Sequence, residues 1–176
     1  MGYREDIVLE KKFATKIKQI LGCIFITQDP IKDKEEGTDF LIFEVHPFSI
    51  GVRLRRFINK QNIVQFYKYR HEFTIRWSRP SGIETEIDKI RKGYVRYFMY
   101  GWVDRNEEKI IQYFIGDLDV FRKREPKPIA IRVNNPPDSE LAIYRIDSLP
   151  KEFYLAFFID KSITKEKVDR FYLKNK

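Results

Sequence analysis

Cysteine is almost missing from this chain. A single residue, Cys23, excludes an intrachain disulfide and any cysteine-built zinc site. Histidine is nearly as scarce: His46 and His71 stand far apart, without the spacing of a metal-ligand pair. No apolar run approaches the roughly 20 residues that a membrane-spanning helix needs. The first dozen residues are charged, which excludes the apolar centre of a secretory signal. No phosphate-binding glycine loop, nucleophile elbow or dinucleotide fingerprint is present, nor any internal repeat or low-complexity linker. These absences describe a reduced, intracellular protein, expected to be soluble and cytoplasmic, in the host cytoplasm if viral, with no membrane partner.

What remains is apolar and basic. At 176 residues the chain is long enough for one domain with a sizeable core. A hydrophobic share of 43% and an aromatic share of 15% argue against disorder. The formal charge of +8 favours a polyanionic partner, nucleic acid before membrane, with solubility as the plainer explanation.

The hydrophobic pattern orders the chain. Leu9, Phe13, Ile17, Ile20 and Leu21 recur at helical spacing, and Gly22 ends the pattern. Cys23 to Thr27, Phe40 to Phe43 and Ile50 to Phe57 follow as strands; on the last, Val52 and Leu54 share one face while Arg53 and Arg55 share the other. Phe73 to Trp77 alternates as a further strand. Thr85 can cap a helix that runs to about Lys92, with Gly93 at its end. Aromatic strands are predicted over Tyr94 to Val103 and Ile110 to Ile115, then a helical turn over Val120 to Lys123. The stretches Ile129 to Val133, Leu141 to Ile146 and Phe153 to Ile159 read as a β-rich extension, and the last dozen residues as a terminal helix. The expected class is α+β (α/β), a helix over a mixed sheet, with residues 1–124 as the core and 125–176 as an extension of the same domain.

Several residues can carry chemistry. Asp39 opens an apolar strand after Gly37-Thr38, where a carboxylate can hold a hard divalent cation or simply accept from loop amides. Glu86 and Lys89 share a helix face: a carboxylate to hold a metal or orient water, and an ammonium to offset phosphoryl charge, or else a solvated ion pair. Thr85 with Asp88 fits a capping box, a structural role. Arg53 and Arg55 point the same way and invite bidentate phosphate contacts; buried arginines need partners, for which Asp39, Glu86 and Glu10 are candidates. Arg70, Arg76, Arg79 and Lys60, with Tyr67, Tyr69 and Trp77 interleaved, mix basic and aromatic character as nucleic-acid surfaces do, although much of that aromatic content belongs to a core. Asp117-Leu118-Asp119 has the form of a metal-binding acidic dyad, but it reads better as the start of a helix.

The order of these elements resembles the PD-(D/E)XK, or restriction-endonuclease-like, nuclease superfamily, whose core is a helix, a three-stranded meander, a second helix and a further strand. The match would cover Leu9 to Val103, with Asp39 at the first acidic position. The segments GTDF, VRLRR, FTIR, TEIDK, YFMYGW and DLDVFR also resemble a group of uncharacterised phage and prokaryotic proteins. The resemblance implies a metal-dependent DNA endonuclease or resolvase-like phosphodiesterase: magnesium or manganese on Asp39 and Glu86, Lys89 activating water, Arg53 and Arg55 gripping phosphate, Glu10 in support, and a homodimer as one assembly. The family's D/E-x-K position falls on Arg53-Leu54-Arg55, which cannot ligate a cation. The alternatives are therefore a non-catalytic nucleic-acid-binding protein of the same fold, or a phage or mobile-element module that binds another protein.

Overall fold

The computed structural model describes residues 3–21, 26–27, 40–42, 48–59, 61–134 and 137–163. Asp39, Lys60, His46 and the expected terminal helix lie outside the described residues.

Helix α1 spans Tyr3–Ile20. Its four-residue rhythm places Leu9, Phe13 and Ile17 on one side, each at most 2% exposed. That stripe packs on Ile50, Val52 and Leu54 of β3 (Phe48–Arg55) and on Met99 and Val103 of β5 (Tyr97–Val103). Burial of each such side chain stabilises the fold by roughly 1.5–3 kcal/mol.

Strands β1 (Ile26–Thr27), β2 (Phe40–Ile42) and β3 form an antiparallel meander. The chain then leaves the sheet through a one-turn helix α2 (Phe66–Tyr69), strand β4 (Glu72–Ser78) and helix α3 (Glu86–Arg91). It returns as β5, parallel to β3, with Arg53 opposite Tyr100 and Arg55 opposite Trp102. Strand β6 (Ile110–Asp117) pairs antiparallel to β5, helix α4 covers Leu118–Arg124, and β9 (Tyr154–Ile159) closes a six-stranded sheet of order β1-β2-β3-β5-β6-β9. A separate antiparallel sheet joins β4 to β8 (Glu140–Arg145) and β8 to β7 (Ala130–Val133). The class is α+β.

The small sheet lies over the face of the main sheet that α1 leaves open. Phe73 and Ile75 of β4 and Ala142 and Tyr144 of β8 pack with Phe98, Tyr100 and Phe114 across the gap, and Phe121 and Phe153 complete the cluster. Phe73 stacks on Tyr144 with ring centroids 5.2 Å apart. The main sheet is thus covered on both faces. This is why β5 is buried almost throughout rather than on alternate residues. The C-terminal stretch is not a lobe of its own: β7 and β8 complete the small sheet, whereas β9 returns to the main one. Among the described residues no helix is long and apolar enough to cross a membrane.

Candidate nucleic-acid interface

On β3 the alternation expected from the sequence is realised. Val52 and Leu54 face α1, so Arg53 and Arg55 face the small sheet. Arg53 is therefore only 8% exposed, and a guanidinium so placed requires an acceptor. Glu86 at the start of α3 supplies it, with an ion pair between Arg53 Nη2 and Glu86 Oε1. The second oxygen, Glu86 Oε2, accepts the backbone N–H of Arg76 at 2.9 Å. One carboxylate thereby ties β3, β4 and α3 together.

Thr85 fixes the register of this helix start. Its backbone N–H donates to Asp88 Oδ2 at 2.9 Å, and its hydroxyl lies 2.8 Å from the same oxygen and 3.2 Å from the Trp77 carbonyl. The capping box expected of Thr85 and Asp88 is present. Those contacts hold the Asp88 carboxyl below its usual range, the Thr85 amide being the main cause. Lys89 stands one turn along from Glu86, its amide donating to the Thr85 carbonyl at 3.1 Å.

Arg76 is the residue that sequence reasoning placed least accurately. Expected as a surface contact, it is 6% exposed. Its Nε is buried with no hydrogen-bond partner among the described residues. Burial lowers its proton affinity; Glu86 opposes that effect, while Arg53 and Arg79 add to it. Asp138 acts with Glu86 in holding the Arg76 charge. Asp138 is also held by Ser139 Oγ at 2.8 Å and Asn134 Nδ2 at 3.1 Å. Nothing in the sequence links residue 138 to residue 76; the β4–β8 pairing does so.

The other candidates are distributed. Arg55 stands over the Trp102 ring, 6.0 Å from its centroid. Arg70 lies at the opposite end of β4, where its Nε donates to His71 Nε2 at 3.0 Å and its carbonyl accepts from Gln112 at 2.7 Å. Glu10 is half-buried on α1, the helix that covers the Val52–Leu54 face, so α1 and the Arg53 face lie on opposite sides of β3. The acidic dyad caps a helix, as expected: Asp117 Oδ1 accepts the Asp119 amide at 2.7 Å, and Arg96 and Arg122 pair with Asp119.

A magnesium site would need carboxylate oxygens with free lone pairs directed at one point. Both oxygens of Glu86 instead face cationic or N–H donors, and among the described residues no group of three or more His, Cys, Asp or Glu is placed to hold a metal ion. Asp39, the other expected ligand, lies outside the described residues. No family model, curated protein or solved structure matches this chain.

Proposed function

We propose that the protein binds nucleic acid through the arginine cluster at the junction of β3, β4 and α3, holding phosphate groups without cutting them. The observation that carries this reading is the commitment of Glu86: its charge is spent on Arg53 and its second oxygen on the Arg76 amide, so the chemistry left at the junction is cationic. Guanidinium groups recognise phosphate by paired, charge-assisted hydrogen bonds, and the net charge of +8 supplies long-range attraction to a polyanion.

The test is fluorescence anisotropy of labelled DNA oligonucleotides at low salt in the presence of a chelator. Binding is expected without any divalent ion and should weaken by about tenfold in Arg79→Ala, as one phosphate contact is lost. Failure to bind single- or double-stranded DNA at low salt would overturn the proposal and favour a protein-interaction role.

The element order supports a second reading. With α2 and β4 set between β3 and α3, the chain runs through helix α1, the meander β1–β3, helix α3 and strand β5 parallel to β3, in keeping with the PD-(D/E)XK resemblance. On that reading the protein is a metal-dependent deoxyribonuclease, and Glu86 would have to leave Arg53 to take part. Magnesium- or manganese-dependent cleavage that disappears in both Asp39→Ala and Glu86→Ala, with folding intact, would establish it.

A further inference from the structure

We propose that Arg53, Arg76 and Arg79 form a seat for the terminal phosphate of a nucleic-acid strand, so that the protein prefers phosphorylated ends to hydroxyl ends. The inference rests on the nucleic-acid-binding reading and narrows it to one feature of the ligand.

Three observations lead to it. The first is charge: Arg53 and the Arg76 backbone meet at Glu86, Arg79 follows three residues after Arg76, and both Glu86 and Asp138 already serve protein donors. The second is the unfilled hydrogen bond. Arg76 Nε is buried and unpartnered among the described residues, although buried polar groups are nearly always paired. Nε lies on the side of the guanidinium fork that grips an oxyanion, so that donor is left for an acceptor from outside the described residues.

The third is depth, and it selects the kind of phosphate. Arg53 and Arg76 are 8% and 6% exposed. A phosphodiester inside a strand is flanked by two nucleotides and meets cations that reach outward. A terminal phosphate is tethered through one ester oxygen, can project into a recess, and carries up to about two charges near neutral pH. A recessed guanidinium set therefore suits the end of a strand better than its middle.

The experiment compares the full-length protein with one single-stranded DNA sequence carrying a 5′-phosphate, a 3′-phosphate or hydroxyl ends, by anisotropy in chelator. One of the phosphorylated ends should bind about tenfold more tightly than the hydroxyl-ended strand. That preference should collapse in Arg76→Met and in Arg76→Lys, the second of which keeps the charge but loses the fork. A thermal melt supplies an independent check. Inorganic phosphate should raise the melting temperature of the wild type but not of Arg76→Met, which should melt no lower than the wild type without phosphate, since it removes an unpaired buried charge.

Equal affinity for all three ends would overturn the seat while leaving nucleic-acid binding in place. Stabilisation by inorganic phosphate without any end preference would also overturn it, in favour of a site for the free ion. Loss of all DNA binding would remove both this inference and the reading on which it rests.

Discussion

At Glu86 one carboxylate oxygen faces the Arg53 guanidinium and the other faces the Arg76 amide. Glu86→Gln keeps an acceptor for the amide but removes the Glu86 charge from beside buried Arg53, and should cost roughly 2–3 kcal/mol in urea denaturation. Combining Glu86→Gln with Arg53→Met should recover most of that loss, because the buried charge goes while the acceptor for the Arg76 amide stays. Asp88 provides a pH-dependent check at the neighbouring position. Its folded carboxyl lies below the ordinary value of 3.8, so its stabilising effect is present above that pH and is lost as pH falls through the lower folded value. The stability gap between wild type and Asp88→Asn should therefore be widest above about pH 4 and close toward pH 2, as followed by thermal melts. At this scale the sequence was only partly legible. Thr85 and Asp88 announce their cap by local spacing. The burial of Arg76 and its nearness to Asp138 depend on a strand pairing that bridges more than 60 residues, from Arg76–Leu141 onward, and leave no local mark.

Among the elements, β3 shows what alternation can and cannot tell. It correctly separates Val52 and Leu54 from Arg53 and Arg55, yet an arginine-bearing face reads as solvent-exposed until the small sheet is known to cover it. The one-turn helix α2 carries Phe66, Tyr67 and Tyr69, which are poor helix formers, so neither propensity nor periodicity marks it. Strand β5 begins at Tyr97 rather than Tyr94, because the Tyr94 amide is still engaged by the Lys89 carbonyl at the end of α3. On β6 a glycine is required by packing: a Cβ on Gly116 would come within 2.1 Å of Cζ of the Phe153 ring, which itself is fully buried. Gly116→Ala should thus destabilise the fold by about 1–3 kcal/mol, with near-ultraviolet circular dichroism reporting the displaced aromatic cluster.

For the whole molecule, composition and element order conveyed the α+β class and the basic balance. They could not convey how the C-terminal strands are shared between two sheets, since β9 pairs with β6 and β8 with β4 across long stretches of chain. The β4–β8 pairing sets Arg76 inside the small sheet, where it is buried. If the protein is a phosphate-gripping nucleic-acid binder, affinity should fall steeply with salt, with a slope of about −0.7 per phosphate contacted on single-stranded DNA. The most direct measurement is a salt titration of oligonucleotide binding by anisotropy in chelator, comparing the wild type with Arg76→Lys. The account predicts tight, metal-independent binding at low salt that weakens linearly on a log–log plot and is weaker throughout in Arg76→Lys. No binding at low salt, or binding indifferent both to salt and to Arg76, would contradict it.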